Sequence, residues 1–330
     1  MKNLYKNKSL LITGGTGSFG NQYISDLSNN FNFKRALVFS RDEMKQWEMM
    51  QRFKNDKRIS FVIGDVRDKE RLYRCMDGIN YVVHAAATKI VPTAEYNPFE
   101  TIKTNVLGAM NVIETAIDSS VEKVVALSTD KASNPINLYG ASKLAADKLF
   151  VAANNSELKN KTKFSIVRYG NVMGSRGSII PFFLSLRDQK KLPITDKAMT
   201  RFMITLDQAI DLVNHTFSDM LGGEIYVKKI PTMKVVDIAK AINSKAKLEV
   251  IGIRPGEKIH EQMIGIDDAH YTYEYKDYYK ILPAINNWDI DKKRIKNGKK
   301  VPNGFIYGSD NKDDLLSGNE LKKWLKTYKK

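Results

Sequence analysis

The feature that most constrains this chain is the run Leu10-Leu11-Ile12-Thr13-Gly14-Gly15-Thr16-Gly17-Ser18-Phe19-Gly20, an apolar stretch that passes at once into glycines at three-residue spacing. A buried strand ends at Thr13, the chain turns through residues with little side chain, and a helix begins near Ser18 with Phe19, Tyr23 and Leu27 on one face. Backbone N–H groups at such a helix start, together with the positive end of the helix dipole, favour a pyrophosphate. The spacing is G-x-x-G-x-x-G rather than the G-x-G-x-x-G of the older dehydrogenase fingerprint. It predicts a dinucleotide site.

The strands that follow come on schedule. Arg35–Ser40, Ile59–Gly64, Ile79–His84 and Val124–Ser128 read as buried strands alternating with helices, the longest from about Pro98 to Ser119 and carrying Asn105. The pattern predicts an α/β fold: a Rossmann-like, doubly wound parallel sheet with helices on both faces, binding ligands at the carboxyl ends of its strands. At the second strand end, an NAD site commonly carries an acid that accepts from the ribose; this chain offers Ser40, Arg41 and Lys45, which suit a 2′-phosphate and favour NADP. Asp65-Val66 could meet the adenine edge, and Ala85-Ala86-Ala87 would let a cofactor approach closely, with Lys89 in the same loop.

Past the fifth strand stand Thr129-Asp130-Lys131, and then Tyr139-Gly140-Ala141-Ser142-Lys143 opening a helix. Tyr139 and Lys143 share one helical face, and a nearby ammonium stabilises phenolate, so a tyrosine so placed can act as a base. A sixth strand, Phe164–Tyr169, leads into Gly170-Asn171-Val172, where shorter elements and Pro181, Pro193, Pro231 and Pro255 suggest a smaller lid domain. The expected division is residues 1–170 as the NADP-binding domain, with a segment near 205–228 returning to it. Residues 171–330 form a smaller α/β substrate-binding domain, with a mixed, aromatic-rich tail from Ile266.

Composition narrows the function. The single cysteine, Cys75, cannot form an internal disulfide, and no clustered Cys/His metal site exists in the sequence. No stretch approaches the ~18 apolar residues of a membrane span, so a cytoplasmic protein is expected. A formal charge of +16 raises nucleic acid as a partner. Without aromatic-interleaved, zinc-finger or helix-turn-helix cues it reads as a lysine-rich solvated surface that attracts anionic substrates.

These motifs resemble the extended short-chain dehydrogenase/reductase superfamily, and within it the inverting UDP-N-acetylglucosamine 4,6-dehydratases of pseudaminic acid biosynthesis. The carrying segments are Gly14–Gly20, Ser40-Arg41-Asp42-Glu43, Gly64–Asp68, Ala94–Pro98, Leu127–Lys131, Asn137–Gly140, Arg168–Val172, Met199–Phe202 and Ile253–Lys258. The resemblance implies that NADP accepts a hydride from C4 of the sugar and returns it to C6. Tyr139, lowered in pKa by Lys143, would take the C4 hydroxyl proton, Asp130 would protonate the departing C6 hydroxyl, and Lys131 would handle the C5 proton, with Thr129 beside them. Cofactor contacts would come from Gly14, Thr16, Gly17, Ser18, Phe19, Gly20, Ser40, Arg41, Asp42, Glu43, Lys45, Asp65, Val66, Ala85, Ala86, Lys89, Asn105, Tyr139, Lys143 and Val172. The UDP-sugar would meet Lys89, Asn171, Arg176, Gly177, Ser178, Ile179, Ile180, Thr195, Arg201, Arg254 and Glu257. A homo-oligomer, dimer or hexamer, is implied. Two other readings stay open: a 4-epimerase or retaining dehydratase, and a non-catalytic NADP-sensing regulator on the same fold.

Overall fold

A computed structural model describes residues 3–155, 161–175, 177–283 and 285–326. Six strands, β1 (Ser9–Thr13), β2 (Arg35–Ser40), β3 (Ile59–Ile63), β4 (Tyr81–His84), β5 (Lys123–Thr129) and β6 (Lys163–Tyr169), pair in parallel in the order β3-β2-β1-β4-β5-β6. The order reverses between β1 and β4, and doubly wound sheets bind their ligands at that crevice. β1 is buried along its whole length and β5 nearly so, as continuous apolar runs covered on both faces require. β4 starts at Tyr81 rather than Ile79 because the Ile79 N–H closes a turn onto Met76 O.

One face of the sheet packs Tyr23, Leu27 and the helix Leu206–Asp219, and the other packs Leu72, Val112 and Phe150. The returning helix is tied to the first unit by Tyr5, whose hydroxyl donates to Asn214 Oδ1 at 2.6 Å and meets the Tyr23 hydroxyl at 2.8 Å. Its start is a full capping box, Thr205 and Gln208 satisfying each other's backbone N–H groups.

Two elements depart from the sequence reading. The segment 98–118 is helical throughout, but Lys103–Leu107 is a π-turn, and a separate short helix, Val91–Tyr96, precedes it because Asn97-Pro98 interrupts the hydrogen-bond ladder. The stretch after Ile266, expected only as a mixed tail, also extends the main sheet. Ile225–Lys228 adds parallel to β6, and Tyr278–Ile281, Thr272–Glu274 and Lys299–Lys300 follow antiparallel, making ten strands. A third apolar cluster, Met173, Ile180, Phe183, Leu192, Met203 and Ile238 among its members, forms the smaller unit around short two- and three-stranded sheets. No described helix is long and apolar enough to cross a membrane.

Candidate active site

The glycine turn has the geometry its spacing promised. Gly14 adopts φ +65°, and a Cβ there would lie 2.8 Å from Ala86 N, so only glycine fits between β1 and the chain leaving β4. A Cβ on Gly20 would stand 2.2 Å from Gly15 O, which packs the helix tightly against the turn. Gly17 is the N-cap of the helix Ser18–Asn30 and supplies no side-chain acceptor. Thr13 Oγ1 accepts from the Ala85 and Ala86 N–H groups at 3.2 and 3.3 Å, clamping the two strand ends together. A cavity lined by Thr16, Ser18, Asn21, Lys45, Glu48, Met49 and Arg52 opens beside the turn. A bare helix start, close backbone approach and cations at the rim fit a dinucleotide phosphate chain.

At the end of β2, the buried Ser40 hydroxyl accepts from Gln46 Nε2 at 3.1 Å. Arg41 reaches Asp65 at 3.6 Å with 58% of its side chain exposed. Asp42 caps the next helix, accepting from Lys45 N at 3.0 Å and pairing with the Lys45 ammonium, and Glu43 begins that helix. Asp65 is also held by Arg67 at 2.7 Å, and Val66 is buried against Gly108.

The chemistry-bearing residues converge at the end of β5. Thr129 donates to Asp130 Oδ1 at 2.9 Å, Lys131 Nζ donates to the same oxygen at 3.0 Å, and Asp130 is fully buried. Asn171 Oδ1 lies 3.4 Å from the Lys131 ammonium. A residue that sequence reasoning missed completes the cluster: Glu261, 2% exposed, places Oε1 3.3 Å from Lys131 Nζ. Burial alone would lower the Lys131 ammonium, but Asp130 and Glu261 overrule it and hold it well above the usual lysine range. Glu261 itself is raised, by burial first and by the Asp130 charge, against the pull of Lys131.

Tyr139 is 9% exposed, and burial pushes its phenol up to about 12. The Lys131 charge and a hydrogen bond with Thr129 offset part of that shift. Lys143 lies on the same helical face as Tyr139, and the Lys131 charge at the end of β5 is a further cation that favours the phenolate. Lys143 is buried, which lowers it, with Asp147 opposing, and its charge adds to the burial that holds His84 down at about 3.

The scaffold beneath these groups is polar and hydrogen-bonded, with Arg168 Nε left without a partner. Asn105, on the π-turn, spends its amide on Thr88 O and Ser142 Oγ, both at 3.0 Å, and its Oδ1 accepts from Thr88 N at 2.9 Å. Ser142 in turn donates to Tyr139 O at 2.8 Å. Asn105 thus ties the β4 loop to the Tyr139 helix. Asp147 accepts from Ser128 at 2.7 Å and pairs with the buried Arg168, which also bonds Met263 O at 2.9 Å and Asp268 at 3.2 Å. The Tyr139 helix, Leu138–Ala152, is capped by Asn137, whose amide also donates to Gly256 O at 2.7 Å.

The expected sugar contacts are spread along the smaller unit. Asn171 and Val172 form a half-buried strand beside Met203 and Ile204. Arg176 lies outside the described residues. Gly177 has φ +74° with open space where a Cβ would stand, Ser178 precedes the helix Ile179–Ser185 with its hydroxyl buried and unpartnered, and Ile180 is core. Thr195 follows the strand Lys191–Ile194 and is half-buried. Lys89 is exposed in the loop after β4. Arg201 is buried, and both terminal nitrogens donate to carbonyls of Thr200, Lys258 and Ile259 at 2.7–3.0 Å, which commits it to holding the 254–260 segment. Arg254 and Glu257 pair with each other, Arg254 remaining 59% exposed.

Comparisons with known proteins agree with this geometry. A family profile described as polysaccharide biosynthesis protein matches residues 10–283. Over 325 residues the chain is 51% identical to a UDP-N-acetylglucosamine 4,6-dehydratase (inverting) of Campylobacter jejuni, spanning 96% of this chain and 97% of that protein. A UDP-glucose 4-epimerase of Rickettsia canadensis is 41% identical across 98% of this chain and 97% of its own length. Among solved structures, Pen from Bacillus thuringiensis superposes with a TM-score of 0.90 at 36% identity, covering 98% of this chain and 100% of that one. With strand order, glycine turn and the Tyr139/Lys143 helix already in place, the chain belongs to the polysaccharide-biosynthesis family of extended short-chain dehydrogenase/reductases, in the group of the inverting UDP-N-acetylglucosamine 4,6-dehydratases.

Proposed function

We propose that the protein dehydrates UDP-N-acetylglucosamine at C4 and C6 with inversion at C5, giving UDP-2-acetamido-2,6-dideoxy-β-L-arabino-hex-4-ulose, as a cytoplasmic homo-oligomer in the first step of pseudaminic acid biosynthesis. The observation that carries this reading is the pair of a fully buried Asp130 and a half-buried Lys131 beside Tyr139, an acid and a base at one strand end. NADP, held along Gly14–Gly20, Ser40 and Arg41, supplies a hydride acceptor for C4 and a donor for C6. Tyr139 takes the proton from the C4 hydroxyl, with Lys131 and Thr129 favouring the phenolate. Asp130 gives a proton to the leaving C6 oxygen, and Lys131 takes the one at C5. Two protons leave the sugar, at O4 and C5, and two return, at O6 and C5, so no external acid or base is consumed. The smaller unit, with Asn171, Arg254 and Glu257, forms the sugar-nucleotide side. Among charged groups, an arginine fork suits a diphosphate.

The epimerase reading has a specific observation behind it, the relative of Rickettsia canadensis. An epimerase, however, removes no proton at C5 and has no use for a buried acid–base pair there. A cofactor sensor could dispense with Tyr139 and Lys143, which this chain keeps. Incubation with UDP-N-acetylglucosamine separates the three: a product lighter by one water is expected, an isobaric product would mean epimerisation, and absence of turnover with several UDP-sugars would favour the sensor.

Cofactor choice is testable at the end of β2. Arg41→Ala is expected to weaken NADP by about 10- to 150-fold, the equivalent of roughly 1.5–3 kcal/mol for a charge-assisted contact, and to leave NAD nearly unchanged. Equal losses in titrations with both cofactors would remove the case for a 2′-phosphate site.

A further inference from the structure

Glu261 is a buried ionisable group at the reacting cluster that the mechanism above does not use. Its main chain is fixed on both sides: Glu261 N donates to Ser309 Oγ at 2.9 Å, and Ser309 N donates to Glu261 O at 2.8 Å. Ser309 is held in turn by Thr200 at 2.7 Å. The backbone that carries the carboxylate is therefore held in place opposite Lys131. A buried ion pair kept for stability would satisfy its remaining lone pairs, because that is what offsets desolvation. Here Glu261 Oε2 has no partner, and neither has Asp130 Oδ2. Two open acceptor positions thus flank one ammonium, which is costly in a buried site unless a proton or a ligand uses them.

We propose that Glu261 is the internal proton acceptor for Lys131, taking one ammonium proton so that a neutral amine faces the sugar's C5–H. The inference rests on the reading of Lys131 as the base at C5. A proton passes from Lys131 Nζ to Glu261, and the amine lone pair then takes the C5 proton. The C5–H electrons become the C5–C6 double bond as the C6–O bond breaks, and the departing oxygen leaves as water with a proton from Asp130, which enters this step as the neutral acid, protonated on Oδ2. The charged and titratable groups facing this pair are Asp130, Arg201, Lys258 and the Tyr139 phenol. Arg201 and Lys258 pull towards the anionic carboxylate, whereas burial and the Asp130 charge raise Glu261 on balance, in the direction that lets it hold the proton during turnover. Glu261 acts through Lys131 and is a positioning residue.

The test compares pH profiles of the holoenzyme with UDP-N-acetylglucosamine. Wild type is expected to show a kcat nearly flat around neutrality, because the proton moves within the pair. In Glu261→Gln the amine must lose its proton to solvent, so kcat should fall about 100-fold at neutral pH and climb about tenfold per pH unit towards alkaline values, with KM changed by less than about threefold. Glu261→Asp, which keeps a carboxylate, should restore the flat profile with a smaller loss. A flat profile with kcat within about threefold of wild type in Glu261→Gln overturns the proposal, as does a sloping profile in Glu261→Asp, the variant that decides if the glutamine protein does not fold. If wild type releases no water from UDP-N-acetylglucosamine, the functional reading fails and the proposal with it; if wild type dehydrates and Glu261→Gln matches it, the proposal fails alone.

Discussion

Lys131→Ala should lower the rate of dehydration by roughly 10²–10⁴-fold, the range for loss of a general acid or base. NADP and UDP-sugar binding should persist, since the glycine turn does not use this side chain and the sugar side loses only the long contact with Asn171 at 3.4 Å. The structure adds an effect on stability. Lys131 lies between Asp130 and Glu261, both buried, and its removal leaves two carboxylates facing each other without the cation. Breaking a buried pair in this way costs about 3–5 kcal/mol unless a carboxylate protonates. Burial beside a second carboxylate raises the folded-state pKa above the unfolded one, so the folded variant binds more protons than the unfolded chain above the usual carboxylate range. Its stability should fall as pH rises through that window, more steeply than in wild type. Melting temperatures at mildly acidic and mildly alkaline pH, measured with turnover and cofactor binding, check both parts. Near-normal turnover in the folded variant would end the case for Lys131 as the C5 base.

The unequal legibility of the site has a physical cause. The glycine turn, the Tyr139/Lys143 face and the alternation of strands with helices through β6 are local or periodic features, carried by residues a few positions apart, so spacing alone reveals them. Glu261 meets Lys131 across 130 positions, through a short strand that pairs Gln262–Ile264 with Tyr307–Gly308. The signal was present, a carboxylate four residues past Glu257 in an otherwise mixed segment, but nothing in the spacing tells which charge it faces. Arg168, Asp147 and Asp268 form a network of the same long-range kind. Arg201 and Asn105 show the converse problem: a cation and an amide at plausible ligand positions turn out to hold carbonyls and a hydroxyl of the protein itself. Composition cannot distinguish those uses. The strands after Ile266 are two to four residues long, and their aromatic alternation is too short to separate a sheet edge from a loop.

The shift of Tyr139 to about 12 through burial, with the Lys131 charge opposing it, couples the two proton transfers. The same ammonium that favours the phenolate must later be neutral to accept the C5 proton. Both events therefore depend on one lysine and on the carboxylates that hold it.

The most direct measurement of the central claim is turnover of UDP-N-acetylglucosamine in heavy water, with the product analysed by NMR and mass spectrometry. The proton taken by Lys131 exchanges with solvent before C5 is reprotonated on the opposite face. The product should therefore carry deuterium at C5 in the inverted configuration and have lost one water. C6 should carry the hydrogen that began at C4, because the hydride does not exchange. Protium at C5, the original C5 configuration or a product that keeps its water would contradict the assignment of Asp130, Lys131 and Tyr139 to an inverting dehydration.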